Sequence, residues 1–219
     1  MATAQAVLFD NDGTLVNTSQ LILESFRYAT KKALNKVIPD EVLMAKNGQP
    51  LYAQVPDFTS DPNLQEQIIE NYRVYNEKHH DGVVKAFDGT VLALKRLHEA
   101  GFTMGVVTSK RHELAQRGLD IVGAAPYLNC LVGMDDCPGH KPEPEPVLMG
   151  CELLGVRPEQ CVYVGDSPYD VQAGKAAGCT AIGVAWGGVF SEEELRAASP
   201  HYLCTSYNRL VEILLELHG

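Results

Sequence analysis

Ala6-Val7-Leu8-Phe9 runs directly into Asp10-Asn11-Asp12-Gly13-Thr14-Leu15, and this junction decides how the rest of the chain is read. Four apolar residues without alternation describe a strand covered on both faces, and the acidic, glycine-bearing turn stops it. Runs of the same kind recur at 102–107, 130–132, 161–164 and 181–184. Helical stripes lie between them. Val91, Leu94 and Leu97 share one helix face and Gly101 supplies a left-handed stop. Val147, Cys151 and Leu154 form a second stripe before Gly155, and Leu210, Ile213, Leu214 and Leu217 give the i, i+3, i+4, i+7 pattern of a C-terminal helix. Strand and helix in alternation predict a parallel α/β sheet.

The interval from about Leu15 to Lys85 breaks that rhythm. Ile22, Phe26, Ala29 and Ala33 are spaced for one amphipathic helix, and Leu64, Ile68, Tyr72 and Tyr75 for another. Pro39, Gly48-Gln49-Pro50, Pro56 and Asp61-Pro62 punctuate the segment, and no buried strand is evident in it. The expected organisation is a catalytic core of residues 1–14 and 86–219 carrying an all-helical insertion of residues 15–85.

With 219 residues, 45% of them hydrophobic, the chain is long enough to bury a substantial core without staples. Its 18 Lys+Arg against 28 Asp+Glu give a net charge of −10. That balance argues against general binding to nucleic acid or to anionic membranes, which are held by basic surfaces. No apolar run approaches a membrane span and residues 1–5 carry no basic, apolar leader, so a cytoplasmic protein is expected. Six cysteines without metal-ligand spacing read as reduced thiols. Nothing in the sequence sets the oligomeric state.

Polar clusters follow the apolar runs: Asp10-Asn11-Asp12-Gly13-Thr14 the first, Thr108-Ser109-Lys110 the second, and Gly165-Asp166-Ser167-Pro168-Tyr169-Asp170 another, with Lys141 in a proline-rich loop ahead of a helix. In an open parallel sheet such segments converge at the carboxyl ends of the strands. Carboxylates so gathered repel one another, and a hard divalent cation with oxygen ligands, Mg²⁺ above all, resolves the conflict. Lys141 adds a positive charge, Thr108 a hydroxyl, and Gly13 a backbone able to come close to an anion. The group this set serves is a phosphoryl group. Asp170, with Pro168 at a helix start, equally suits a first-turn acid, and Lys110-Arg111 reads as a solvated helix start. A P-loop is excluded because Gly174-Lys175 is followed by Ala176, and no Gly-x-Gly-x-x-Gly follows the first strand.

Asp10-Asn11-Asp12-Gly13-Thr14-Leu15, Thr108, Lys141-Pro142 and Gly165-Asp166-x-x-x-Asp170 resemble the four ordered motifs of the haloacid dehalogenase superfamily. The resemblance covers the whole chain and is nearest to the phosphoglycolate phosphatase and pyrophosphate phosphatase branch, through Gly48-Gln49-Pro50-Leu51, residues 76–81, the prolines of 141–146 and Ala185-Trp186-Gly187. It implies a Rossmann-like parallel sheet with helices on both faces and an inserted all-helical cap. It further implies an Mg²⁺-dependent phosphatase acting on a small phosphorylated metabolite, phosphoglycolate or pyrophosphate-like. Asp10 is then the nucleophile that forms an aspartyl-phosphate and Asp12 the general acid and base. Asp10, the Asp12 carbonyl and Asp166 are metal ligands, with Asp170 ligating directly or through water. Thr108 and Lys141, with Ser109 and Gly13 beside them, hold the phosphoryl group. The loop Asn47-Gly48-Gln49-Pro50 is expected to face the site, making Gln49 a substrate contact. Asn11 departs from the family, where that position is usually apolar; its amide is expected to find a hydrogen bond and to influence the loop's pKa values. A phosphomutase or dehalogenase of the same superfamily, and a phospho-signalling receiver-like module, are the alternatives. The receiver reading suffers from length, and from an acceptor on the first strand that carries its own acid two residues on.

Overall fold

The computed structural model describes residues 3–219, so the reading of residues 1–5 falls partly outside it. Its elements in chain order begin with β1 (Ala6–Phe9), β2 (Val16–Asn17), α1 (Ser19–Leu34), α2 (Asp40–Met44), α3 (Leu51–Gln54), α4 (Pro62–Val83) and β3 (Lys85–Ala86). They continue with α5 (Thr90–Glu99), β4 (Thr103–Val107), α6 (His112–Ile121), β5 (Cys130–Val132), α7 (Glu145–Leu153) and β6 (Cys161–Gly165). The last are α8 (Pro168–Ala176), β7 (Thr180–Val184), α9 (Glu192–Ala197), β8 (Tyr202–Cys204) and α10 (Tyr207–His218).

Six strands form one sheet in the order β5-β4-β1-β6-β7-β8, every pairing parallel. The period-two geometry of a strand then splits the side chains into two layers. Val7 and Phe9 of β1, with Met104, Val106, Val162 and Val164, pack against Leu94 and Leu97 of α5, Leu119 of α6 and Leu210 and Leu214 of α10. Ala6 and Leu8 point the other way, with Val107, Cys161 and Tyr163, against Val147 and Cys151 of α7 and Ala173 of α8. The fold class read from the sequence is therefore the one observed: an α/β sheet with helices on both faces.

Between β2 and β3 the segment is helical and carries apolar clusters of its own. Ile22, Phe26 and Leu43 form one, and Ala29, Val55 and Ile68 another. Phe26 sits 4.7 Å from the Tyr72 ring and 5.5 Å from that of Phe58, tying α1 to α4. Where the sequence showed no strand, Val16–Asn17 pairs antiparallel with Lys85–Ala86, so a short ribbon joins the two ends of the helical segment. Two residues per strand are too few to display a period.

All six cysteines are unlinked, five of them buried, as read. Among the described residues no helix is long and apolar enough to cross a membrane.

Candidate active site at the carboxyl ends of the strands

Parallel register aligns the strand ends. Phe9 lies opposite Val106 and Val164, so the residues just beyond them are Asp10 on β1, Thr108 after Val107 on β4, and Asp166 after Gly165 on β6. Three chain segments separated by up to 156 positions thus deliver their polar residues to one edge.

The loop after β1 is fixed by its own backbone. The Asn11 carbonyl accepts the N–H groups of Leu15 and Val16, and the Gly13 N–H donates to the Val16 carbonyl at 2.9 Å. Gly13 takes φ +85°, a left-handed conformation that strongly favours glycine, and a Cβ there would collide with the Asp166 carboxylate. From behind, the Thr14 carbonyl accepts the Tyr207 hydroxyl and the Trp186 indole N–H. Gly13 therefore turns the loop against Asp166, and its N–H is already engaged within the loop.

Lys141 is buried and bridges two carboxylates, its Nζ donating to Asp10 Oδ1 at 2.8 Å and to Asp170 Oδ1 at 2.6 Å. Asp170 is fully engaged. Oδ1 also meets the Tyr163 hydroxyl at 3.1 Å, and Oδ2 accepts the Ser167 N–H at 3.0 Å and the Ser167 hydroxyl at 2.5 Å. The Asp170 N–H donates back to Ser167 Oγ, completing a capping box at the start of α8. Both readings of Asp170 thus meet in one residue, a first-turn acid that is also part of the charged cluster.

Asp166 is different. Its Oδ1 has a long contact from the Thr14 hydroxyl at 3.4 Å, and its Oδ2 is buried with no hydrogen-bond donor. Oxygens of Asp10, Asp166 and Asp170 all lie within 4.8 Å of one another. Burial, reinforced by Asp170 and Asp12 and opposed by Lys141, lifts Asp10 to about 7. Burial and the neighbouring Asp10 and Asp170 raise Asp166 well above the carboxylate range. Burial disfavours a charged Lys141, but Asp10 and Asp170 outweigh it and hold the ammonium well above its ordinary value. Three buried carboxylates against one ammonium, with one oxygen lacking a donor, form an all-oxygen set short of positive charge. That set fits a hard divalent cation.

Asp12 faces a separate partner. Its Oδ1 accepts the Thr18 hydroxyl at 2.6 Å and the Lys110 ammonium at 2.6 Å. Burial alone would raise its pKa, yet Lys110, Thr18 and the Asn11 amide together hold it below the usual value. The Asn11 amide lies beside Asp12, while its own Oδ1 is buried without a donor, against the expectation that it would find a hydrogen bond. Lys110 is not the solvated helix-start lysine its sequence position indicates: it is largely buried against Asp12.

A cavity of about 110 Å³ opens above Asp10, walled by Asp12, Thr108, Ser109 and Lys110 from the strand ends and by Asn47, Gly48, Gln49, Tyr72, Arg73 and Asn76 from the helical segment. Gln49 is thus in the wall of the cavity that holds Asp10. The Ser109 hydroxyl donates to the Gly48 carbonyl at 2.6 Å, joining strand end to helical segment. Lys141, Asp166 and Asp170 are buried behind Asp10 and outside the cavity wall. Residues that sequence reading missed are Lys110, Thr18, Tyr163 and Arg73. Only Lys110 carried a signal, its place directly after Thr108-Ser109.

An open parallel sheet with buried carboxylates and a lysine at its strand ends, overlaid by a helical segment, defines a class of α/β enzymes. Residues 7–184 match the model of the haloacid dehalogenase-like hydrolases, and the chain belongs to that family. The chain is 41% identical over 209 residues to the PpaX protein of Caldanaerobacter subterraneus subsp. tengcongensis, covering 95% of this chain and 94% of that one. It is 35% identical over 208 residues to the pyrophosphatase PpaX of Anoxybacillus flavithermus, covering 95% of each. Among solved structures, one described as a predicted phosphatase from Clostridium acetobutylicum superposes with a TM-score of 0.87 at 27% identity, covering 99% of this chain and all of the other.

Proposed function

We propose that the protein is an Mg²⁺-dependent phosphatase that cleaves a small phosphorylated metabolite, of the phosphoglycolate or pyrophosphate kind, through an aspartyl-phosphate on Asp10. The observation that carries this reading is the pairing of Asp10 with buried Lys141 beside the donorless Oδ2 of Asp166. Relatives named pyrophosphatase support the substrate class.

Asp10, the Asp12 carbonyl and Asp166 would hold the cation, with Asp170 ligating directly or through water. When bound, magnesium neutralises the buried carboxylates and offsets the negative charge of the phosphoryl oxygens. Asp10 is the group at the cavity floor with no other covalent task. Its oxygen forms a bond to phosphorus while the bond from phosphorus to the leaving oxygen breaks. Thr108 steadies the transferring oxygens from the cavity wall and Lys141, behind Asp10, holds the attacking carboxylate in place; positioning of this kind provides most of phosphoryl-transfer catalysis. Asp12 gives a proton to the leaving oxygen. In the second half, water attacks phosphorus, the bond to Asp10 breaks and Asp12 takes the water's proton. Lys110 and Thr18 favour Asp12 as a carboxylate, the form the second half requires; for the first half it must acquire a proton and leave Lys110.

Residues 15–85 are read as a cap over a core of 1–14 and 86–219. Ser109 then serves the cap contact through Gly48, and Gln49 faces the substrate. The reading places the enzyme in the cytoplasm, where thiols such as Cys151 and Cys179, 3.8 Å apart, stay reduced.

The test is phosphate release from pyrophosphate, phosphoglycolate and p-nitrophenyl phosphate with and without Mg²⁺. Metal-dependent release from at least one supports the reading, and inertness towards all three contradicts it.

A further inference from the structure

Three cations line the cavity: Arg73, Lys110 and Arg111. Two are paired, Lys110 with Asp12 and Arg111 with Glu77. Arg73 has no ion-pair or hydrogen-bond partner among the described residues; Glu77, one turn on, is paired with Arg111.

The helix that carries Arg73 is fixed all the same, while the side chain itself is exposed. On α4, Ile68, Asn76 and His80 are buried, Tyr72 packs on Phe26, and the Asn76 amide donates to Ser25 Oγ at 3.1 Å. That inward stripe sets the rotation of the helix, so Tyr72, Arg73, Asn76 and Glu77 are turned together toward the cavity. The same cavity is lined by apolar and neutral residues, among them Ile22, Leu51, Leu114, Met134, Gln49 and Gln54, and by the acids Asp10, Asp12 and Glu77.

We propose that Arg73 forms a second anion subsite, which binds a negative oxyacid group on the leaving portion of the substrate. The inference rests on the phosphatase reading and narrows its substrate class. A phosphoryl group seated on Asp10 is met by Thr108 from the strand ends, whereas Arg73 belongs to the helical segment that lines the rest of the cavity and would meet what lies beyond the bridging oxygen. A guanidinium offers a planar fork matched to two oxygens of a carboxylate or phosphoryl group. The cavity, at about 110 Å³, is well below the roughly 300–1,000 Å³ of sites for drug-sized ligands, so the leaving portion is compact. The substrate class is a small molecule with two anionic ends, either a phosphoanhydride or a phosphorylated hydroxy acid.

The experiment compares wild type, Arg73→Ala and Arg73→Lys on pyrophosphate, phosphoglycolate and p-nitrophenyl phosphate, with Mg²⁺, reading kcat and KM separately. The Arg73→Ala change should lower kcat/KM for a two-anion substrate relative to p-nitrophenyl phosphate by on the order of 10- to 100-fold, mainly through KM, with partial recovery in Arg73→Lys. A larger loss on pyrophosphate identifies a phosphoryl group as the Arg73 ligand, and a larger loss on phosphoglycolate a carboxylate. Equal losses on all three substrates, or an unchanged ratio, overturn the subsite while leaving the phosphatase reading intact. A wild type inert on all three overturns the phosphatase reading and the subsite with it.

Discussion

The Lys110 ammonium sits 2.6 Å from Asp12 Oδ1, joining the segment after β4 to the loop after β1. The pair is only slightly exposed, so water screens it weakly, and it sets the charge of the residue assigned as general acid and base. Replacing Lys110 with Met removes the attraction and leaves burial to act alone. The Asp12 pKa should then rise, shifting the acid limb of the pH–rate profile upward. An acid limb unmoved in Lys110→Met would separate Asp12 from that limb.

His80 links pH to stability. It is buried at 1% exposure, its ring 3.4 Å from where a Cβ on Gly118 of α6 would lie, and Asp81 Oδ1 lies 3.0 Å from Nδ1. Burial lowers its pKa below the ordinary 6.5, aided by nearby Lys110, while Asp81 and Asp12 oppose the shift. Below 6.5 the unfolded chain therefore binds a proton that the folded chain resists. Stability should be level in this contribution above pH 6.5 and decline below it, by at most about 1.4 kcal/mol per pH unit. Urea unfolding from pH 5 to 8 measures the slope, and His80→Gln should flatten it.

Asp10 carries the opposite sign. Its pKa is raised from 3.8 to about 7, so in metal-free protein the folded state holds a proton that the unfolded chain has already lost, and stability falls as pH climbs from about 4 to about 7. Asp10→Asn should end turnover and also make the stability of the metal-free protein fall less between pH 5 and 8 than that of wild type. Thermal melts in chelator show the effect. Mg²⁺ should raise the melting temperature of wild type more than that of the variant. Equal melts with and without metal would argue against a carboxylate cluster awaiting a cation.

Gly48 couples the helical segment to the strand ends. Its φ is +96°, and a Cβ there would lie 2.8 Å from Ser167 Oγ, while its carbonyl accepts the Ser109 hydroxyl. Gly48→Ala should cost about 1–3 kcal/mol of stability and lower kcat/KM, because the loop bearing Gln49 must shift. Paired unfolding and kinetic measurements test both effects; full stability and activity would show the loop to be uncoupled.

The sheet and the acidic edge were legible because each rests on local pattern. Apolar quartets such as Ala6-Val7-Leu8-Phe9, short and closed by a turn, fit strands buried on both faces, and parallel strands bring the residues after them to one edge. Asp10, Asp166 and Thr108 follow from that topology. Lys110 was misread because its partner is 98 positions away, and only the register of β1 beside β4 brings Asp12 within its reach. Arg73 gave no sign, since the direction of its side chain depends on how Ile68, Tyr72 and Asn76 dock α4 onto α1. The two-residue ribbon of β2 and β3 was below the length at which alternation can be read.

The most direct test of the central claim is acid quenching of the enzyme during turnover of pyrophosphate or phosphoglycolate with Mg²⁺, followed by mass spectrometry of the peptide containing Asp10. A single phosphoryl group on Asp10, absent from Asp10→Asn, is the predicted result. Steady release of phosphate from an enzyme whose Asp10→Asn variant turns over equally well, with no phosphorylated peptide, would contradict it.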